Sequence, residues 1–280
     1  MKIIDGKLIS KEIRKNIKKD IDALKVKNII PGLGIILVGN DPASEIYVCN
    51  KIKACDELGI NTLLYRFKED NNEREVIELI KDLNCDDQIH GILVQSPLPS
   101  SFDEDKIISY VEKEKDVDGF GTFNLGALLS NQEKIVAATP LGILKMLEYE
   151  NIDIEGKHVV VVGASLIVGR PMATLLLNRG ATVTIAHSKT KNLKEITTQA
   201  DILIVAIGQA KFITDEYVKD GAVVIDVGTN RIDGKLYGDV DFDKVSKKAS
   251  YITPVPGGVG PMTITMLISN VVEQAKGKVR

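Results

Sequence analysis

Apolar residues recur at every third or fourth position near the start of the chain, at Leu8, Ile9, Ile13, Ile17, Ile21 and Leu24. This spacing predicts one amphipathic helix. Short apolar runs then alternate with helical patterns, which predicts strands at 34–38, 62–67 and 91–95 and helices at 44–58, 73–83 and 103–112. Such alternation is typical of βαβ units around a mainly parallel sheet with helices on both faces.

The periodicity weakens between residues 116 and 140, where several glycines interrupt it, and we place a domain boundary there, followed by a connecting helix at 140–151. The alternation then restarts, with strands predicted at 158–162, 182–186, 202–206 and 223–227 and helices at 168–179 and 262–274. The fold class is therefore α/β with two βα domains, residues 1–120 and 140–260. The second is a Rossmann-like doubly wound parallel sheet, and the helix at 262–278 is expected to pack back on the first.

Composition narrows the class of protein. The 280 residues carry 36 Lys and Arg against 39 Asp and Glu, and this net charge of −3 argues against a nucleic-acid or anionic-membrane binder. The chain has no Trp and only 5% aromatic residues, which argues against a surface that stacks on bases or sugars. No secretory signal or membrane-length apolar run is visible. The three cysteines lack C-x-x-C spacing and the three histidines are scattered, so we expect reduced thiols, no metal site and a cytoplasmic protein.

A glycine-bearing turn follows the first strand of the second block. Gly163 allows a tight turn and Gly169 allows close packing of helix on strand, and amides at the helix start can bind a pyrophosphate. The spacing does not match G-x-G-x-x-G, and many α/β proteins have such a turn for packing alone. The strand before it and the helix and strand after it favour dinucleotide binding.

The end of the next strand bears on the choice of dinucleotide. NAD sites commonly place a carboxylate there, whereas this chain has Ala186-His187-Ser188-Lys189-Thr190. Ser188 can donate a hydrogen bond to a 2′-phosphate and Lys189 can supply positive charge. The segment favours NADP over NAD, although NAD is not excluded, and a solvated loop is the simpler alternative.

In the first block Ser44, Tyr47 and Lys51 share one helix face at i, i+3 and i+7. This helix follows the carboxyl end of a strand, where open α/β sheets bind ligands. Gln95 ends a neighbouring strand, so we expect it to meet the Lys51 ammonium. The alternative is an ordinary packing tyrosine, a solvated lysine and a loop-capping glutamine.

Two loops complete the candidate site. Asp118 lies in Lys115-Asp116-Val117-Asp118-Gly119, where a carboxylate could face a cleft or simply belong to a surface turn. The segment from 254 to 261 contains six Pro or Gly residues, which makes a stiff loop whose backbone a flat ligand can approach. An apolar helix follows it.

Together these segments resemble the bifunctional methylenetetrahydrofolate dehydrogenase/methenyltetrahydrofolate cyclohydrolase family. The matching pieces are Tyr47-Val48-Cys49-Asn50-Lys51, Val94-Gln95-Ser96-Pro97-Leu98-Pro99, 115–119, 163–171, Asp226-Val227-Gly228-Thr229-Asn230 and 253–263. The resemblance implies NADP-dependent oxidation of 5,10-methylenetetrahydrofolate to 5,10-methenyltetrahydrofolate and its hydrolysis to 10-formyltetrahydrofolate, for one-carbon metabolism and purine biosynthesis. It also implies a homodimer with each active site in the cleft between the two domains.

The resemblance carries roles to single residues. Lys51 matches the family's catalytic lysine, with Tyr47 and Gln95 shaping its surroundings and Ser44 on the substrate side. Asp118 matches the carboxylate that holds the pterin ring, and the backbone of Pro256, Gly257 and Gly258 lies beside the substrate. Contacts to NADP fall on Gly163, Ala164, Ser165, Ser188 and Thr229. Ala164 departs from the family, where an arginine that helps bind the 2′-phosphate is frequent, and this places more weight on Ser188 and Lys189.

Two other functions are compatible with parts of the pattern. A shikimate-dehydrogenase-like NADP oxidoreductase has a similar domain order but does not require the Pro/Gly loop. A non-catalytic NADP-binding sensor would have no need for Ser44, Tyr47, Lys51 and Gln95 together.

Overall fold

The computed structural model describes residues 1–278, which form two compact units. The six-stranded unit comprises Met1–Lys11 and Thr139–Thr263, and the three-stranded unit comprises Glu12–Ala138 and residues 264–278. In chain order the elements are β1 (Lys2–Ile3), α1 (Gly6–Val26), β2 (Gly32–Val38), α2 (Pro42–Leu58), β3 (Asn61–Phe67), α3 (Glu73–Cys85), β4 (Gly91–Val94), α4 (Glu104–Ser109), α5 (Thr122–Leu129), α6 (Ala138–Tyr149), β5 (His158–Val162), α7 (Gly169–Leu177), β6 (Thr182–Ala186), α8 (Leu193–Thr197), β7 (Ile202–Val205), β8 (Val223–Asp226), β9 (Asn230–Ile232), β10 (Lys235–Tyr237), α9 (Phe242–Val245), β11 (Tyr251–Ile252) and α10 (Val259–Lys276).

The three-stranded unit has a parallel sheet in the order β3-β2-β4. Every residue of the central strand β2 is buried, as expected for a parallel strand covered on both faces. Apolar side chains of α3 pack with those of β2 and β4 in one core cluster that includes Ile36, Ile80 and Ile92. Because β2 and β4 are paired in parallel, their carboxyl ends lie side by side. Helix α2, which carries Lys51, follows β2, and Gln95 follows β4 at the same edge of the sheet.

The six-stranded unit has an all-parallel sheet in the order β1-β11-β8-β7-β5-β6. From β5 the chain crosses to β6 on one side, and the next strand, β7, pairs on the other side of β5. This reversal is the topological switch point at which doubly wound sheets bind ligands, outside the carboxyl ends of the strands. The α/β fold with a doubly wound parallel sheet agrees with the sequence prediction.

The sequence pattern did not predict the antiparallel hairpin of β9 and β10. Its strands have only three residues each, too few for an alternating pattern to be recognised. The two residues that join them, Asp233 and Gly234, have φ of +48° and +77°, as a tight hairpin turn requires. Helix α5 was also not predicted, because Gly126 interrupts its pattern in a segment with few polar residues.

Residues 1–11 cluster with the second block, although the sequence pattern grouped them with the first. The reason is strand pairing: Lys2 and Ile3 of β1 lie opposite Tyr251 and Ile252 of β11. Among residues 1–278, no helix is both long enough and apolar enough to cross a membrane.

Candidate functional site

Helix α2 begins at the carboxyl end of β2 because its first turn is capped. The Asp41 carboxylate accepts a hydrogen bond from the Ser44 amide at 2.8 Å, and Pro42 occupies the first turn, where a missing N–H costs nothing. Lys51 lies two and a half turns further along and is half-buried. Its Nζ donates a hydrogen bond to Oε1 of Gln95 at 2.9 Å.

Gln95 is held from two sides. Its backbone N–H donates to Ile36 O at 2.9 Å, which extends the β2–β4 pairing by one residue, and its side-chain Nε2 donates to Ser96 O at 2.6 Å. Because the amide nitrogen is occupied in this way, the amide oxygen faces Lys51. Gln95 is only 8% exposed. Because its side chain is an uncharged amide, it accepts the hydrogen bond of the Lys51 amine without placing a negative charge beside it.

Burial lowers the pKa of Lys51 below its usual value of 10.5, and the nearby Asp118 carboxylate partly opposes this change. Burial raises the pKa of Asp118 to about 7, against the attraction of Lys51 and with a further increase from Asp116. Two groups that are ordinarily fully charged at neutral pH are thus both shifted toward their neutral forms. Such a pair of shifted groups is typical of catalytic sites.

Asp116 fixes the backbone around Asp118. Its carboxylate accepts hydrogen bonds from the Gly119 amide at 2.9 Å, the Gly121 amide at 2.8 Å and Asn124 Nδ2 at 2.8 Å. Asp116 is buried, although in the sequence it is distinguished only as a neighbour of Asp118. An acidic residue two positions before the candidate carboxylate, followed by glycines, was the available signal.

Glu104 fixes the loop after Gln95. Its two carboxylate oxygens accept from Ser96 Oγ at 2.7 Å and from the Leu98 amide at 3.0 Å. The Ser96–Pro97 peptide bond in this loop is cis. Glu104 lies in the first turn of α4, and no local pattern in the sequence predicted this contact.

Ser44 and Tyr47 share a helix face with Lys51 but differ in exposure. Ser44 is 3% exposed, and its Oγ has no hydrogen-bond partner among residues 1–278. Tyr47 is 40% exposed. The structure therefore brings Lys51 together with Gln95, through a hydrogen bond, and with Asp118, through charge attraction. On the same helix face Ser44 is buried, whereas Tyr47 is exposed to solvent.

In the six-stranded unit, the turn after β5 fits an anionic group. Gly163 has φ of +124°, and a Cβ there would lie 2.2 Å from Ala206 O, so only glycine allows this approach. The amides of Ser165, Leu166 and Ile167 donate to no acceptor within the described part of the chain. Ser165 Oγ itself accepts from the amides of Val168 and Gly169, at 3.2 and 3.4 Å. Unpaired amides before a helix are suited to bind the pyrophosphate of a dinucleotide.

The turn after β6 is exposed and internally hydrogen-bonded. The His187 amide donates to Thr190 Oγ1 at 2.9 Å, and the Lys189 amide donates to His187 Nδ1 at 3.2 Å. These bonds leave the Ser188 side chain exposed at the tip of the turn. In the turn after β5, Arg170 Nε of α7 donates to Ala164 O at 3.0 Å, a contact that the sequence pattern did not predict.

Two buried carboxylates hold the ends of β7 and β8. Asp239 accepts hydrogen bonds from three successive amides, those of Ile207, Gly208 and Gln209, at 2.7, 2.9 and 2.8 Å. Asp226 accepts from the amides of Gly228, Asp239 and Val240, at 3.0, 2.9 and 3.0 Å. Burial raises the pKa of Asp226 to about 7, against the effect of these three donors. Thr229, a predicted cofactor contact, is exposed in the loop that this network holds.

Pro256, Gly257 and Gly258 lie in the loop between β11 and α10, within the six-stranded unit. The Val255–Pro256 peptide bond is cis. Gly258 and Gly6 pack backbone to backbone, since a Cβ on Gly6 would lie 1.8 Å from Gly258 O. The loop is therefore held against the start of α1.

Comparison with known proteins gives two family matches. Residues 4–118 match the model of the tetrahydrofolate dehydrogenase/cyclohydrolase catalytic domain, and residues 137–279 match that of the NAD(P)-binding domain of the same family. The chain is 56% identical to the bifunctional protein FolD of Ligilactobacillus salivarius over 278 residues, which cover 99% of this chain and 98% of that protein.

Solved structures agree with these matches. A bifunctional FolD methylenetetrahydrofolate dehydrogenase/cyclohydrolase from Campylobacter jejuni is 51% identical, with a TM-score of 0.98 and both chains fully covered. The FolD enzyme of Trypanosoma brucei, solved with NADP and an inhibitor, is 37% identical, with a TM-score of 0.95 over 99% of this chain and 98% of that one. A shikimate dehydrogenase from Aquifex aeolicus, 17% identical with a TM-score of 0.53, covering 90% of this chain and 98% of that one, shares only the fold.

Proposed function

This chain belongs to the tetrahydrofolate dehydrogenase/cyclohydrolase family, and we propose that Lys51 is the group on which its cyclohydrolase reaction depends. The protein is a bifunctional enzyme of one-carbon folate metabolism, as the sequence resemblance implied. It oxidises 5,10-methylenetetrahydrofolate and hydrolyses the resulting 5,10-methenyltetrahydrofolate to 10-formyltetrahydrofolate. The family matches support this function over the shikimate-dehydrogenase-like oxidoreductase and the non-catalytic sensor. The expected cofactor, NADP, agrees with the match to an NAD(P)-binding domain and with the NADP bound in the Trypanosoma brucei enzyme.

In the oxidation, bound NADP accepts a hydride from the methylene carbon. The folate nitrogens stabilise the cation that remains, so no side chain has to remove a proton. What the chain must supply is orientation of the folate, which can lower a barrier by about 7–11 kcal/mol where it replaces a bimolecular encounter. We assign this positioning to Lys51 and Asp118 on the three-stranded unit, with Ser44 and Tyr47 shaping the surroundings and the 256–258 backbone contacting the substrate.

Asp118 suits the pterin ring because the ring presents an N–H and an adjacent amino group, two donors that one carboxylate can accept together. The Asp116 carboxylate accepts hydrogen bonds from the amides of Gly119 and Gly121 and so holds the segment that carries Asp118. A carboxylate fixed in this way can set the orientation of the whole ring.

In the hydrolysis, water attacks the methenyl carbon and must lose a proton. A lysine with an ordinary pKa would be protonated and unable to accept it. Burial lowers the pKa of Lys51, and the cationic substrate would lower it further because like charges repel. Gln95 holds the amine through a neutral oxygen, 2.9 Å away, and so does not favour its charged form. The Lys51 amine takes one proton from the attacking water, which leaves a hydroxyl on the carbon. When the bond between this carbon and N5 breaks, the hydroxyl becomes the formyl carbonyl and its proton passes to N5.

The six-stranded unit is assigned to NADP. The unpaired amides at 165–167 suit its pyrophosphate, and we place Gly163, Ala164, Ser165, Ser188 and Thr229 at the nucleotide because they surround the carboxyl ends of β5, β6 and β8. The Asp239 and Asp226 carboxylates hold the neighbouring loops in position.

We further assign a homodimer and a cytoplasmic location. The homodimer rests on the family resemblance, and an ultracentrifugation mass of one chain rather than two would overturn it. The location is supported by three cysteines, Cys49, Cys55 and Cys85, all of which are free thiols, as is usual in a reducing compartment.

The deciding experiment replaces Lys51 by Met, which keeps the aliphatic stem and removes the amine. If Lys51 supplies the base, hydrolysis of methenyltetrahydrofolate should fall by roughly 100-fold or more, the usual contribution of general acid–base catalysis. Lys53→Met is the matched control, because Lys53 lies on the same helix but is exposed. A Lys51→Met enzyme that is folded, binds NADP and hydrolyses methenyltetrahydrofolate at the rate of the control would overturn the proposal.

A further inference from the structure

NADP differs from NAD only by a phosphate on the 2′ oxygen of the adenosine ribose. In doubly wound folds this oxygen lies near the end of the second strand, where a carboxylate selects NAD and an arginine accommodates NADP. In this chain the second strand of the fold is β6. A dianionic phosphate there needs a positive group that approaches from the turn after β5 or after β6.

Strand register places these two turns side by side. Val162 of β5 lies opposite Ala186 of β6, and the Gly163 amide donates to Ala186 O at 2.8 Å. Ala164 and Ser188 each follow the paired residues by two positions. The backbone of Ala164 is therefore adjacent to the turn that presents Ser188.

Arg170, in the first turn of α7, brings a guanidinium to this place. Its Nε donates to Ala164 O at 3.0 Å, which fixes the plane of the group beside residue 164. The residue is exposed, and within residues 1–278 its guanidinium forms no ion pair. Neither 163–170 nor 186–191 contains an Asp or Glu. The terminal nitrogens of Arg170 are thus the donors of a planar fork that suits a phosphate.

We propose that Arg170 binds the 2′-phosphate of NADP, together with the Ser188 hydroxyl, and selects NADP over NAD. Arg170 then supplies the charge that Ala164 lacks, and its bond to the Ala164 carbonyl orients it in advance. The proposal rests on the assignment of the six-stranded unit to a nicotinamide dinucleotide.

The test is calorimetric binding of NADP and of NAD to the full-length enzyme and to Arg170→Ala. Loss of a charge-assisted pair of hydrogen bonds should weaken NADP binding by about 10- to 100-fold. Affinity for NAD should change by less than about twofold, which also shows that the variant is folded. Arg170→Lys keeps the charge but not the fork, so its affinity for NADP should lie between those of the wild type and Arg170→Ala.

Lys157→Ala is the matched control, since Lys157 lies just before β5, at the opposite end of that strand, and its loss removes the same charge from the unit. It should leave the ratio of NADP to NAD affinities unchanged. Equal affinity of Arg170→Ala and the wild type for NADP, or a wild type that binds NAD as tightly as NADP, would overturn the role of Arg170. A wild type that binds neither dinucleotide would instead overturn the assignment of the unit.

Discussion

The backbone amide of Asp239 donates a hydrogen bond of 2.9 Å to Oδ1 of Asp226, so one buried carboxylate holds the residue that carries the other. Through this bond the loop after β7 and the loop after β8 are fixed by one continuous network. The first of these loops follows β7, which pairs with β5 at the switch point of the sheet, and the second follows β8, the next strand along.

Replacement of Asp239 by Asn should lower the free energy of unfolding by about 1–3 kcal/mol. The amide has one acceptor oxygen in place of two, and its NH₂ group would face amides that also donate, those of residues 207–209. Urea unfolding measures the change, and the affinity for NADP should fall with it. Asp233→Asn, at the exposed tip of the hairpin, is the control and should change neither quantity.

The pKa of Asp118, raised to about 7 by burial, predicts the pH dependence of folate use. Below pH 7 the protonated group loses the ability to accept two hydrogen bonds from the pterin. Therefore kcat/KM of the dehydrogenase should rise with pH, with a midpoint near 7, because this ratio reports ionisations of the free enzyme. In Asp118→Asn we expect kcat/KM to be lower by about 10- to 100-fold and independent of pH in this range, with unchanged NADP affinity. A variant that retains the wild-type midpoint would contradict the role of Asp118.

A carboxylate in place of the Gln95 amide should raise the pKa of Lys51, because an adjacent negative charge favours the ammonium form. In Gln95→Glu the pH profile of methenyltetrahydrofolate hydrolysis should therefore move to higher pH, by about one unit or more. Gln95→Met removes the same hydrogen bond without adding charge, and its profile should not move upward. A purely structural role for Gln95 would give both variants the same profile.

Asn270 of α10 should be important for stability. It is 3% exposed, and its Nδ2 donates to Val117 O and to Val136 O, both at 2.9 Å. Asn270→Leu would leave two buried carbonyls without a donor, and we expect a loss of about 2–4 kcal/mol in the free energy of unfolding. Gln274→Leu is the comparison variant, because it removes a single hydrogen bond, to Lys113 O, that is exposed to solvent, and it should cost less than about 1 kcal/mol. If the two variants unfold alike, the buried pair is not what holds this part of α10.

Hydrophobic periodicity predicted most of the fold, because helices and buried strands each repeat a local pattern. Strands β5 and β6 have the predicted bounds, and α2 begins two residues earlier than expected, where Asp41 and Pro42 provide a start signal. The hairpin and α5 could not be found in this way, since three-residue strands and a glycine-interrupted apolar turn carry too little pattern.

For the site, residue type and position relative to strand ends made Lys51, Gln95 and Asp118 candidates, and the family resemblance supplied the role predicted for each. The residues that hold the loops of the candidate site were not found, because their hydrogen bonds leave no repeating pattern in the sequence. Asp239 bonds to amides about thirty positions earlier, and Glu104 bonds to a loop across the end of β4. The Arg170 contact is short in sequence but depends on the turn at Gly163, whose shape a single sequence does not give.

The pairing of β1 with β11 also has a consequence for synthesis of the chain. Lys2 lies opposite Tyr251, so the first strand made on the ribosome must wait for nearly the whole chain before its partner exists. At roughly 5–20 residues per second, this interval is on the order of 12–50 s. During that time the three-stranded sheet, contained in residues 32–94, can already form. The edge of the six-stranded sheet is therefore completed only after translation has almost ended.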